Sequence, residues 1–297
     1  MPGNSTLSID ISPYKFDSKG GTGKRPWVHK AVNPDNYRGN FAGRADAGQS
    51  YAADVERIIV ELDAQGKRPA AFISETLLGV GGQMPLPEGY LKAVYEKVRG
   101  AGGVCIADEV QVGFGRVGKA FWGFELQEVN PDIVVLGKPI GNGHPLGAVV
   151  VSRAIAEAFN NGLEYFNTFG GNPVSMATGL AVLDVIEVEG LQHHAHEVGD
   201  YLMGKLRELM QHHAIIGDVR GHGLFIGVEL VRDRQTKVPA VPEIDDIVEE
   251  MKERGFLLST DGPLHNVLKI KPPMTFNKED ADTLVYHLDL VLNSLSL

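Results

Sequence analysis

The chain reads as an α/β protein: a mainly parallel sheet flanked by helices, followed by a small C-terminal α+β domain. Three observations predict this. Short apolar runs bounded by glycine and proline alternate with amphipathic helical stretches between residues 70 and 151. A long stretch with one apolar side, 173–189, then reads as a single helix joining two domains, placed at 1–189 and 190–297. Beyond it the alternation gives way to helices set around separated strands.

The elements follow in order. Residues 12–50 are rich in Gly, Pro, Asn and Lys without a sustained period, and read as a long loop region. A helix is expected from about Ala53 to Gln65, with Val55, Ile58, Ile59 and Leu62 on one face. Ala70–Ser74 is a short apolar strand. Tyr90–Ala101 is a helix carrying Leu91, Val94, Tyr95 and Val98. Gly103–Ala107, Asp132–Leu136 and Leu146–Val151 are further strands of a sheet expected to be buried on both faces. Pro173–Glu189 and Val198–Gln211 are helices, and Leu224–Val231 and Asn266–Lys271 are strands. Pro242–Arg254 is a helix closed by Gly255, a residue suited to the left-handed position after a helix end. The last helix starts after Asn277, whose side chain can cap it. Its Leu284, Val285, Leu288, Leu292 and Leu295 form the stripe that packs on the small sheet.

Composition narrows the function classes. The chain has 297 residues, 43% hydrophobic and 22% charged, an ordinary globular profile. A net charge of −10 argues against a nucleic-acid or anionic-membrane partner. No apolar run approaches a membrane-spanning length, and the first residues show no basic segment followed by an apolar one. Cys105 is the single cysteine, set in an apolar run where a buried thiol is expected, and a reducing, cytoplasmic setting fits it. The clusters His193, His194, His196 and His212, His213 lack the i, i+4 pair with an interposed glutamate of a helical zinc site. They are read as solvated surface histidines, with no metal.

Two charged residues carry the chemistry. Asp108 ends the run Ile106-Ala107-Asp108-Glu109-Val110-Gln111, and Lys138 follows the run ending Leu136-Gly137. In an open α/β sheet, ligands bind at the carboxyl ends of the strands. One acid and one amine facing the same crevice are what a pyridoxal phosphate enzyme needs. The lysine holds the cofactor as a Schiff base, and the aspartate keeps the pyridine nitrogen protonated. Either residue alone would be an ordinary solvated charge or helix cap.

Ile106–Arg116, Gly137-Lys138-Pro139-Ile140-Gly141-Asn142-Gly143-His144-Pro145 and Thr168-Phe169-Gly170-Gly171-Asn172-Pro173 occur in that order. The chain thereby resembles the class III aminotransferase family of pyridoxal phosphate enzymes, over nearly its whole length. Tyr165–Ser175, Leu257–Pro263 and Asn266–Pro273 are most similar to the ethanolamine-phosphate phospho-lyase branch of that family. The resemblance implies a fold-type I architecture, with 1–189 as the cofactor-binding large domain and 190–297 as the small domain. It implies pyridoxal 5′-phosphate as cofactor, with Lys138 and Asp108 as catalytic residues. It places Val110 flat on the cofactor ring and Gln111 on the ring hydroxyl. Thr168 resembles the family threonine that reaches the neighbouring subunit's cofactor phosphate, so a homodimer with shared active sites is implied. Without the family, Val110 is simple strand packing and 168–171 an ordinary glycine turn.

Departures from the family pattern bear on the substrate. Many members grip an α-carboxylate with an arginine that a glutamate shields in the other half-reaction. Here Lys269 stands at the arginine position and Val80 at the glutamate position. Arginine grips a carboxylate with a planar fork, whereas lysine offers a point charge. Losing both halves together fits a substrate without an α-carboxylate, such as phosphoethanolamine or a similar amino-alkyl phosphate. The expected function is phosphate elimination. The alternatives are an ω-aminotransferase using the same residues, and an inactive family member that only dimerises. The resemblance also implies further family chain ahead of Met1, including a Gly-Ser phosphate loop and an aromatic stacked on the ring. A chain lacking that part is expected to bind cofactor poorly and to expose apolar surface.

Overall fold

A computed structural model of the chain describes residues 4–295. Two short helices open the described chain, α1 (Thr6–Asp10) and α2 (Pro13–Phe16), the second of them inside the stretch that the sequence predicts as loop. The first long helix, α3 (Ala47–Asp63), begins earlier than its apolar period indicates. Gly48 allows this early turn to lie against the backbone of Glu88, where a Cβ would come within 2.0 Å of the carbonyl oxygen.

The first sheet contains β1 (Ala71–Glu75), β4 (Val104–Asp108), β5 (Ile133–Leu136) and β6 (Ala148–Val151), in the order β1-β4-β5-β6. Between β1 and β4 lie the two-stranded β2 (Leu77–Leu78) and β3 (Met84–Pro85), then α4 (Tyr90–Gly100). α3 and α4 pack together, joining Tyr51, Val55, Leu91, Val94 and Cys105 in one buried cluster. The β1–β4 and β4–β5 pairs are parallel, and β5–β6 is antiparallel. The link 137–147 holds no crossover helix, and a parallel return needs roughly a dozen residues or more.

The expectation of a sheet buried on both faces is corrected at this edge. In β6 only Ala148 is partly covered, while Val149 and Val150 are 64% and 54% exposed. Beside it, α5 (Arg153–Phe159), the segment 160–172 and α6 (Pro173–Val188) also expose large apolar side chains, among them Phe166, Phe169 and Leu180. Apolar composition marks a residue as suited to burial but does not supply the covering element.

Gly190, at φ +62°, separates α6 from α7 (Leu191–His212). α7 starts well before the predicted Val198, because Leu191, Ala195, Val198, Leu202 and Leu206 continue one buried stripe through the histidine-rich turn. The second sheet, in the order β7-β8-β10-β9, is antiparallel throughout. It comprises β7 (Ile216–His222), β8 (Phe225–Leu230), β9 (Ser259–Asp261) and β10 (Val267–Ile270). Helix α8 (Val241–Glu253) and the last helix α9 (Lys278–Ser294) complete the module. β7 escapes a pattern search because Gly217, Asp218, Arg220 and Gly221 interrupt its apolar period. Arg220 is buried there as an ion pair with Glu229 at 2.6 Å and Asp218 at 2.8 Å.

The expected punctuation appears. Gly255 has φ +91°, and Asn277 accepts from the backbone of Glu279 and Asp280 at 2.8 and 3.0 Å. α7, α8 and α9 close one core with β7, β8 and β10, including Leu206, Ile226, Ile247 and Leu288. His213 departs from the expectation of solvated histidines: it is buried and bonded to Asp289 at 2.6 Å. His194 bonds the carbonyl of Phe276. Among the described residues, no helix is long and apolar enough to cross a membrane.

Candidate active site

The carboxyl ends of β1, β4 and β5 bring the charged residues together. Asp108 is the last residue of β4, buried, and in register with Glu75 of β1 on one side and Val135 of β5 on the other. Its carboxylate accepts the backbone N–H of Val110 at 3.1 Å, which turns the chain as the strand ends. Lys138 lies just beyond β5, at the start of a short 3-10 turn. The register pairs Asp108 with Val135, three residues before Lys138, so both residues follow from neighbouring strand ends.

Lys138 takes an uncommon backbone conformation, φ +24°, immediately before Pro139. A non-glycine residue there costs about 1–3 kcal/mol, which the surroundings must offset. The following loop supplies that restraint. A Cβ at Gly141 would meet the carbonyl oxygen of His144 at 2.1 Å, and His144 Nε2 pairs with Ser175 Oγ at 2.8 Å. Ser175 lies in the first turn of α6, whose N-cap Asn172 accepts the Ser175 N–H at 2.9 Å. The lysine loop is thus tied to a helix N-terminus.

Val110 is buried and packs over Gly137, where a Cβ would come within 3.2 Å of its Cγ1. It stands between the Asp108 and Lys138 strand ends, compatible both with ordinary packing and with a platform for a flat ring. Gln111 lies against Gly79, and its Oε1 accepts from Lys271 Nζ at 2.8 Å. Thr168 is not joined to this group. It is exposed in the segment 160–172, and no hydrogen bond links it to the other four residues among the described residues.

Two carboxylates accompany Asp108, Glu75 half-buried and Glu109 buried. Burial raises the pKa of Glu75, and the neighbouring Asp108 pushes the same way. Glu75 accepts the N–H of Gly79 at 2.8 Å. Glu109 is fully buried and its pKa is raised by that burial, opposed by three donors: Gly123 N–H, Thr76 Oγ1 and Phe124 N–H, at 2.8–2.9 Å. Glu109, the first residue past β4, holds the loop 123–124 against the end of that strand.

From the second sheet come Lys269 and Lys271. Lys269 pairs with Asp261 at 3.0 Å. Lys271 lies 3.8 Å from the centre of the Phe225 ring, and burial lowers its pKa to about 7, helped by the charge of Lys269. Arg116, also buried, donates to the carbonyls of Leu224 and Pro272. Its pKa is lowered by burial. In the sequence Lys271 is one of several lysines; its only local signal is that it alternates with Lys269 at the end of a strand.

This donor set fits pyridoxal phosphate. A buried carboxylate and a lysine follow from adjacent strand ends with an amide close behind, and Gly137 and Gly79 give Val110 and Gln111 the space they occupy there.

The comparisons with known proteins agree. A profile for aminotransferase class-III matches residues 6–292. The chain is 53% identical over 280 residues to an alanine–glyoxylate aminotransferase 2-like protein of Drosophila melanogaster, an alignment covering 92% of this chain and 57% of that protein. It is 41% identical over 307 residues to ethanolamine-phosphate phospho-lyase homolog 1 of Caenorhabditis elegans, covering 99% and 66%. A phospholyase from Arthrobacter, solved in complex with phosphoethanolamine, superimposes with a TM-score of 0.91 at 38% identity, covering 99% of this chain and 69% of that one. The chain spans 57% and 66% of the length of these two sequence relatives. The chain belongs to the aminotransferase class-III family of pyridoxal-phosphate-dependent enzymes.

Proposed function

We propose that this chain carries the catalytic lysine and the ring-nitrogen acid of a phospho-lyase acting on phosphoethanolamine or a similar amino-alkyl phosphate. The observation that supports it most is that Asp108 ends β4 and Lys138 follows the adjacent, register-paired β5, with Lys271 reaching Gln111 from the second sheet. Residues 1–189 act as the cofactor domain and 190–297 as the small domain that contributes Lys269 and Lys271.

Pyridoxal phosphate, when bound, supplies the electron sink that acidifies the C–H next to the substrate nitrogen. Lys138 takes up that proton as general base. Asp108 holds a proton at the pyridine nitrogen. Val110 supports the ring face, and Gln111 donates from Nε2 to the ring hydroxyl oxygen. Lys269 or Lys271 attracts the substrate phosphate. Val80 and Lys269, standing where a carboxylate switch would need Glu and Arg, disfavour exchange with α-amino acids.

A second reading, an aminotransferase using the same residues, is favoured by the Drosophila relative's identity of 53%. The two differ in what must be added. Supplied with pyridoxal phosphate and phosphoethanolamine, the enzyme is expected to release inorganic phosphate without any oxo-acid. Strict dependence on an oxo-acid, with no phosphate released, overturns the lyase reading. Borohydride is expected to fix cofactor on a Lys138 peptide; label on Lys119 or Lys269 overturns the assignment of the lysine.

The exposed face of β6, the segment 160–172 and α6 supports a homodimer, in which Thr168 of one chain approaches the cofactor phosphate of the other. A reducing, cytoplasmic setting is part of the same proposal.

A further inference from the structure

Gln111 and Lys271 lie 160 residues apart, one beyond β4 of the first sheet and the other just after β10 of the second. Their 2.8 Å bond joins the two sheets directly at the candidate site. A side-chain amide has one accepting end and one donating end, of almost the same shape. Its orientation is therefore decided by its partners. An ammonium group only donates, so beside Lys271 the amide must turn its oxygen to Nζ. The NH2 end is then left for the opposite side. The amide as a whole lies against Gly79, where a Cβ would come within 3.0 Å of Nε2 and 3.4 Å of Oε1.

The surroundings hold both partners. Gly79 is fixed at each end, its N–H by Glu75 and its carbonyl by Gln83 Nε2, both at 2.8 Å. Gln83 Nε2 also donates to Asp261 at 2.6 Å, and Asp261 in turn pairs with Lys269. Lys271 is half-buried, with its amine over the Phe225 ring.

We propose that Lys271 is a positioning residue that fixes the orientation of the Gln111 amide, so that its NH2 end faces the cofactor's ring oxygen. This rests on the reading of Gln111 as the residue that meets that oxygen. A neutral amine accepts as well as donates, so the constraint holds only while Lys271 is protonated. Burial is the main influence lowering its pKa to about 7. Lys269 and Arg116 act in the same direction, and Glu75 and Asp261 oppose them. Gln111 is thereby set at neutral pH and below, and released in mild alkali.

The test uses the 15N-labelled chain without cofactor and follows the Gln111 side-chain NH2 signals from pH 5.5 to 8.5. In the wild type they are expected to shift with one midpoint near 7. In Lys271→Met the titration disappears, and in Lys271→Arg the signals stay at the acidic position throughout. A titration that persists in Lys271→Met overturns the proposal, as do signals identical in all three proteins. Binding of 4′-deoxypyridoxine 5′-phosphate, which lacks the aldehyde that Lys138 needs, is measured on the same proteins at pH 6. Lys271→Met and Gln111→Ala are each expected to weaken it ~10-fold, the value of one charge-assisted hydrogen bond at its lower end, with Lys271→Arg close to wild type. If Gln111→Ala binds like wild type, the reading of Gln111 as cofactor-facing fails. If Gln111→Ala weakens binding and Lys271→Met does not, that reading survives and the positioning role of Lys271 is refuted.

Discussion

Replacing Lys271 with methionine should change how stability depends on pH, in a calculable direction. Burial lowers this lysine from its ordinary 10.5 to about 7. At 1.36 kcal/mol per unit, and allowing for its remaining contact with water, the charged form costs the fold about 3–5 kcal/mol. The folded pKa lies below the unfolded one. Below pH 7 both states hold the proton and the cost is fully present. Between about 7 and 10.5 the unfolded chain holds one more proton than the folded chain, so stability rises with pH by about 1.4 kcal/mol per unit. Methionine keeps an apolar stem against Phe225 but leaves Gln111 Oε1 without its donor, a loss of about 1–3 kcal/mol. Lys271→Met should therefore be more stable than wild type at pH 6 by about 1–3 kcal/mol. That advantage should shrink by about 2–3 kcal/mol by pH 9. Urea unfolding of both proteins at pH 6, 7.5 and 9 reads the difference directly, because every other titrating group is shared. A difference that stays constant, or grows in methionine's favour as the pH rises, refutes a buried lysine titrating near neutrality.

Two further outcomes follow from buried groups. Burial pushes the Cys105 thiol up to about 12, so a thiol reagent at pH 8 should leave the native chain unlabelled and react fully after denaturation; rapid native labelling contradicts this. Glu109→Ala strands two backbone N–H groups and the Thr76 hydroxyl inside the protein, and should lower stability by about 3 kcal/mol or more. A loss below about 1 kcal/mol in a thermal or denaturant melt would show that water reaches those groups.

Much of the molecule was legible before any coordinates. The strand ends at Asp108 and Lys138, the helix over 173–188, the stop at Gly255 and the cap at Asn277 all lie where local pattern puts them. Such features depend on neighbours a few residues away, through hydrogen-bonding reach and side-chain period, and the sequence carries them whole. Four features were not legible. The antiparallel course of β6 depends on the conformation of the link that precedes it. The strand β7 hides behind Arg220 and Asp218, charges that look solvated until Glu229 arrives from the neighbouring strand. His213 reads as surface until Asp289 of α9 covers it. Lys271 is the clearest case. Nothing within its own segment distinguishes it from the other lysines, yet burial, with the charges of Lys269 and Arg116, lowers the pKa of its amine to about 7. Periodicity and capping are short-range and belong to the sequence. Desolvation and the pairing of charges are sums over everything packed within a few ångströms, and only the tertiary structure decides which distant residues those are.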